Sequence, residues 1–144
     1  MAAALSPRLA AVVEALPLQP DSRVLEVGCG PGAAARAVAE RLTSGHILAI
    51  DRSAKAIAQA IESGREQVDA GRLRLRQVAV EDFVLEPNDE PFTIVFACRV
   101  GALDGRHPAA GALAMARLAA AVAPGAQLFI DGGQPLRQLC LPMP

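Results

Sequence analysis

The stretch Val24-Leu25-Glu26-Val27-Gly28-Cys29-Gly30-Pro31-Gly32 constrains this chain more than any other. Val24, Leu25 and Val27 read as a short buried strand, three glycines follow at alternate positions, and from Ala33 the pattern is helical. A strand that runs through a glycine-rich turn into a helix is a ligand-binding device. Glycine takes positive φ and lets a ligand come close to the backbone. The helix amino terminus adds free N–H groups and a partial positive charge. Glu26 is the unusual residue, because a carboxylate at the end of a buried strand is costly unless something pairs with it. A cationic ligand in the glycine turn would supply that partner.

The rest of the sequence supports one core around this turn. At 144 residues with 52% hydrophobic side chains, the chain predicts a single globular domain over 1–144. Residues 1–20 form a leading helix and linker, and 132–144 a tail. The formal net charge of -1 gives no sign of a general nucleic-acid or membrane-surface binder. With no Trp, no Tyr and four Phe, stacking platforms for single-stranded nucleic acid are nearly absent. Cys29, Cys98 and Cys140 stand apart with no metal-ligand spacing, so no metal is expected and a reducing, cytoplasmic setting is. The alanine-rich start lacks a basic segment and is broken by Pro7, Glu14 and Pro17, which argues against a signal peptide.

Read in order, strands and helices alternate. Ser6-Pro7 opens a helix that Pro17 stops. Strands are predicted at Arg23 to Val27 and His46 to Ile50, with a helix from about Ala33 to Leu42 between them. Ser53 opens a further helix carrying Ile57, Ile61 and Val68 on one face. Leu73 to Arg76 alternates apolar and basic residues, the pattern of a solvated edge strand continuing through Val78 to Val80. Phe92 to Cys98 is a continuous apolar run suited to a central parallel strand. A helix over Ala109 to Ala123, a stop at Pro124-Gly125 and a strand over Gln127 to Ile130 follow. The order predicts an α/β fold: an open parallel sheet of about five strands with helices on both faces. Glu26, Gly28, Asp51, Asp82 and Cys98 all fall at strand carboxyl ends, where such sheets bind ligands.

Glu26-Val27-Gly28-Cys29-Gly30-Pro31-Gly32 resembles the first motif of the class I S-adenosylmethionine (SAM)-dependent methyltransferases, E/D-x-G-x-G-x-G. Gly28, Gly30 and Ala33 also fit a nicotinamide-dinucleotide fingerprint, with Asp51 near the expected distance. The acid two residues before the first glycine, and the third glycine two after the second, favour the methyltransferase motif. The resemblance spans about residues 5 to 131 and implies a Rossmann-like methyltransferase fold. It implies SAM as cofactor, S-adenosylhomocysteine as its product, and transfer of a methyl group to a small-molecule acceptor. Glu26, Gly28, Cys29, Gly30 and Gly32 would then hold the cofactor. Asp51 would grip the ribose hydroxyls and Arg52 would lie beside the adenine. Asp82 would accept from the adenine amino group, with Phe83 packed on the ring. Ala97 and Cys98 would end the strand where donor and acceptor meet. His107 and Asp104, in the loop after that strand, are candidates for a general base. The other reading is a non-catalytic SAM-binding module that acts through a partner.

Two departures from the family stand out. Thr93 replaces the aspartate usual near the start of the fourth strand. The family sheet has seven strands, with an antiparallel pair after the fifth; here the tail from Gly132 to Pro144 offers at most one short segment, which the closing prolines Pro142 and Pro144 oppose. A bare apolar edge at Gln127 to Ile130 follows from that reading. It predicts either a homodimer across the edge, the favoured outcome, or cover by Leu136, Leu139 and Leu141.

Overall fold

The computed structural model describes residues 4–142, so Pro144 lies outside the described residues. Helix α1 (Pro7–Ala15) starts as its sequence dictates: the Ser6 hydroxyl accepts from the Leu9 N–H at 3.2 Å, and Pro7 occupies the first turn. Pro17 drives Leu16 out of the helical region to ψ 135°. Strands β1 (Arg23–Val27), β2 (His46–Asp51), β3 (Leu73–Gln77) and β4 (Phe92–Ala97) alternate with helices α2 (Ala33–Ala39), α3 (Ala54–Ser63) and α4 (Arg65–Asp69). Helix α5 (Pro108–Ala119) and strands β5 (Val122–Asp131) and β6 (Leu136–Leu139) complete the domain.

The strands form one sheet in the order β3-β2-β1-β4-β5-β6, parallel except for β6, which runs antiparallel to β5. The strand order reverses between β1 and β4, so the crevice of this open sheet lies at their carboxyl ends. Alternate residues of each strand enter opposite cores. Val24, Ile47, Ala49, Ile94 and Phe96 pack under α1 and α2, with Val12, Ala35 and Val38. Leu25, Leu48, Ile50, Val95, Leu128 and Ile130 pack on the other side, with Ala114 and Leu118 of α5. Helix α2 lies close to the sheet because its inward side chains, Ala34, Ala35 and Ala39, are small.

The tail corrects the strand count. Four of its residues form β6, in register from Asp131↔Leu136 to Leu128↔Leu139. The β5 edge on which a homodimer was expected is therefore occupied by the chain itself. Pro142 does not oppose this, because the strand ends three residues before it. Leu136 reaches the α1–α2 core, while Leu139 and Leu141 reach the α5 core, so the tail leucines hold both faces.

Other boundaries also differ: β3, expected to continue through Val80, ends at Gln77. The helix predicted through Gly64 divides there into α3 and α4, Gly64 leaving helical geometry at φ -101° and ψ 17°; a Cβ at this position would stand 2.7 Å from Leu73 Cδ2. Helix α2 closes at Ala39, where Arg41 and Leu42 donate to carbonyls three residues back and tighten the last turn. Pro124-Gly125 does not end a helix. It lies inside β5, where the pairing with β4 jumps from Phe92↔Val122 to Ile94↔Gln127 and Gly125 takes φ 79°.

The arginines of β3 are not merely solvated. Arg74 and Arg76 both clamp Asp89, at 2.7 Å and 3.0 Å, and the Asp89 carboxylate is 1% exposed. Asp89 also accepts from the Glu86 N–H at 2.8 Å, and these contacts hold it well below the usual carboxylate range. Thr93 tethers the opposite end of the sheet: its hydroxyl donates to the Arg23 carbonyl at 3.1 Å and accepts from the Arg23 N–H at 3.0 Å. Among the described residues no helix is long and apolar enough to cross a membrane.

Candidate cofactor site

The glycine turn is fastened to β2 on two levels. The N–H groups of Gly28 and Cys29 both donate to the Ile50 carbonyl, at 2.8 Å and 3.0 Å. The Gly30 N–H donates to Asp51 Oδ2 at 2.9 Å, and Ser53 N–H donates to Asp51 Oδ1 at 2.9 Å. Asp51 thus bridges the turn to the start of α3, while Ser53 itself caps that helix through Ala56. Gly28 takes φ 72°, and a Cβ there would stand 2.7 Å from Val100 Cγ2, so a side chain has neither the conformation nor the room. At Gly30, with φ 55°, the space is open.

Glu26 lies beneath this turn, 3% exposed. Its Oε1 is buried and has no hydrogen-bond partner among the described residues. Burial pushes its carboxyl up to about 8, and the neighbouring Asp51 charge adds to the effect. The same burial, with Glu26 and Asp51 nearby, pushes the Cys29 thiol far up, so Cys29 is a buried thiol rather than a nucleophile.

A cavity of about 520 Å³ opens at the carboxyl ends of β1 and β2. It brings together the sequence candidates Gly28, Asp51, Arg52 and His107, and adds Val80, Glu81, Val100 and Gly101. Glu26, Cys29, Gly30, Gly32, Ala97 and Cys98 do not line it. Ala97 is buried in the core, and Cys98 is half-buried with its thiol pushed up to about 11 by burial. Asp82 and Phe83 do not line it either. A 3₁₀ turn at Val80–Asp82 carries the chain away, and the Phe83 ring is buried 6.3 Å from that of Phe92 with the Arg76 guanidinium over it. The acid that this turn presents to the cavity is Glu81, whose Oε2 lies 3.7 Å from Arg52. Adjacent acids at 81 and 82 are the only sequence signal for it; the turn decides between them.

The two base candidates separate. His107 lines the cavity, packed over Gly101, where a Cβ would stand 2.6 Å from the imidazole Cδ2. Asp104 lies outside it, and both its oxygens accept from Arg106 Nε, at 3.0 Å and 2.8 Å. That pairing lowers its carboxyl below the usual range and leaves it a poor proton acceptor. Among the described residues no cluster of His, Cys, Asp and Glu is built to hold a metal ion.

The profile of the methyltransferase domain family matches residues 24–125, which run from β1 into the bulge of β5. The chain belongs to the methyltransferase domain family. No curated protein sequence matches it. Solved structures share the fold of this methyltransferase domain. A SAM-dependent methyltransferase from Geobacter sulfurreducens, in complex with S-adenosylhomocysteine, is 24% identical over 90% of this chain and 49% of its own, with a TM-score of 0.67. The corresponding complex from Thiobacillus denitrificans is 22% identical over 90% and 50%, with a TM-score of 0.67. A [4+2]-cyclase, SpnF, is 25% identical over 85% and 42%, with a TM-score of 0.68. The methyltransferase domain spans half or less of the length of these structures.

Proposed function

We propose that this methyltransferase domain binds SAM and directs its methyl group to a small-molecule acceptor. The observation that carries the reading is the buried, unpartnered Glu26 Oε1 below a glycine turn fastened to Asp51. A dinucleotide site has no use for that carboxylate, whereas an ammonium group seated in the turn would pair with it. The chain's residues fit the cofactor in two further respects. Asp51 commits one lone pair of each oxygen to a backbone N–H, and each oxygen retains another for a ribose hydroxyl. Gly28 leaves the turn without a side chain where the cavity meets β1.

The cofactor, when bound, supplies an electrophilic methyl group on a sulfonium that leaves as a neutral thioether. What remains for the protein is proximity and alignment. The Glu26 carboxylate orients the amino-acid end, Asp51 fixes the ribose, and Val80 and Val100 flank the cavity with apolar surface. His107 stands in the cavity wall, placed to take a proton from an acceptor that must lose one. Calorimetry with SAM, S-adenosylhomocysteine and NAD tests the cofactor, and methyl transfer to pooled small molecules tests the activity. Binding of NAD in preference to SAM would refute the reading.

A second reading rests on the likeness to a [4+2]-cyclase, which places other chemistry on this fold. SAM binding with no transfer to any acceptor would favour a non-catalytic module or a different reaction.

A further inference from the structure

The crevice continues beyond the cofactor cavity. A second concavity of about 600 Å³ shares Arg99 and Arg106 with the first and is closed by Asp104, Asp131, Gly132 and Arg137. We infer that this concavity anchors the acceptor through an oxyanion, a carboxylate or phosphate, held between Arg99 and Arg137. The word "acceptor" rests on the proposed methyl transfer; the oxyanion site does not.

The first support is charge. Asp104 is fully engaged by Arg106. Asp131 gives Oδ1 to the Arg99 backbone N–H at 3.0 Å, and its Oδ2 faces Arg8 at 3.8 Å. The guanidinium groups of Arg99 and Arg137 have no ion pair among the described residues. Counting Arg8, four arginines therefore face two aspartates, in a chain whose formal net charge is -1. An arginine presents a planar fork that matches a carboxylate or phosphate in two parallel hydrogen bonds.

The second support is backbone geometry. Arg99 is the one non-glycine residue with positive φ among the described residues, at 57°. Such a conformation persists only where the surroundings impose it, and residues held this way cluster at ligand sites. Here the Arg99 N–H donates to the Asp131 carboxylate, which fastens the residue in place. Arg106 reinforces the loop by donating to the Arg99 carbonyl at 3.3 Å.

The third support is placement. Arg137 sits opposite Ile130 in the β5–β6 ladder, and Ile130 sits opposite Ala97 in the β4–β5 ladder. Arg137 is therefore level with the end of β4, two strand spacings or about 10 Å away. Arg99 follows Ala97 by two residues. The tail strand thus brings a cation to the far wall of the crevice, opposite the one that the strained residue provides.

The test titrates inorganic phosphate and acetate into the full chain, with and without S-adenosylhomocysteine, and follows the arginine Nε–H signals by NMR. Saturable binding of at least one anion is expected, shifting the Arg99 and Arg137 signals. Arg99→Gln and Arg137→Gln should each weaken it about tenfold or more, while Arg137→Lys, which keeps the charge, recovers part of the affinity. A response to phosphate alone assigns a phosphate-bearing acceptor, and a response to acetate alone a carboxylate. Absence of saturation by either anion overturns the inference, and so does unchanged affinity in a folded Arg137→Gln variant. Calorimetry with S-adenosylhomocysteine on the same samples separates the two readings. Arg137 lies outside the cofactor cavity, so Arg137→Gln should keep that affinity. A chain that holds the anion but not S-adenosylhomocysteine defeats the cofactor reading and leaves this one standing.

Discussion

The Gly30 backbone N–H donates to Asp51 Oδ2 at 2.9 Å, joining the glycine turn after β1 to the end of β2. This contact makes the glycine turn and the proposed ribose acid one unit, because the other Asp51 oxygen is fixed by Ser53 N–H. Asp51→Ala removes both tethers and the two proposed ribose contacts together. S-adenosylhomocysteine affinity should fall about tenfold or more in the folded variant, read by calorimetry. Asp51→Asn keeps one acceptor oxygen and should fall between the two. Equal affinity in all three would remove Asp51 from the site.

Glu26 sets a pH dependence of stability. Its folded carboxyl lies near 8, above its ordinary value of 4.5, so the folded domain holds a proton that the unfolded chain has released. Stability from this group is whole below about 4.5 and is lost as pH rises toward 8. Denaturant titrations from pH 5 to 9 should show Glu26→Gln less sensitive to pH than the parent chain, by about 2 kcal/mol or more across the window. Parallel profiles would mean that Glu26 is not buried as a neutral acid. Addition of SAM to the parent chain should flatten its profile too, since an ammonium partner favours the charged form.

Asp89 has the opposite sign. Its carboxyl is held below the usual range, so its contribution is present above the unfolded value and is lost only in strong acid. Asp89→Ala should destabilise the domain at neutral pH by about 1–3 kcal/mol, since Arg74 and Arg76 lose a shared partner while remaining partly open to solvent. The loss should be level between pH 6 and 8. A melting temperature within a degree of the parent would show that the clamp contributes nothing.

Ending the chain at Asp131 removes β6 and uncovers the β5 edge. Gln127 to Ile130 would then present unpaired backbone groups beside apolar side chains. The shortened chain should self-associate in light scattering and melt lower than the parent. A soluble monomer of unchanged stability would show that β6 has no part in closing the sheet.

Much of this protein could be read from local pattern. Ser6-Pro7 predicts the start of α1, the run from Phe92 predicts a buried parallel strand, and Gly28, Gly30 and Gly32 predict a turn of positive φ. Each is decided by a residue and its near neighbours: proline's fixed φ, the continuous apolar run of a strand covered on both faces, glycine's missing Cβ. Long-range pairing decided the rest. The tail Leu136 to Leu139 has a weak strand pattern and becomes β6 because β5 offers an open edge beside it. The β3 arginines look solvated until the loop returns Asp89 between them. Glu81 and Asp82 are equivalent acids in the sequence, and only the turn that buries Phe83 aims the first at the cavity. Arg99 and Arg137 stand 38 positions apart along the chain. They meet at one crevice because β4, β5 and β6 lie side by side, a neighbourhood made by hydrogen bonding between strands and invisible to any local pattern.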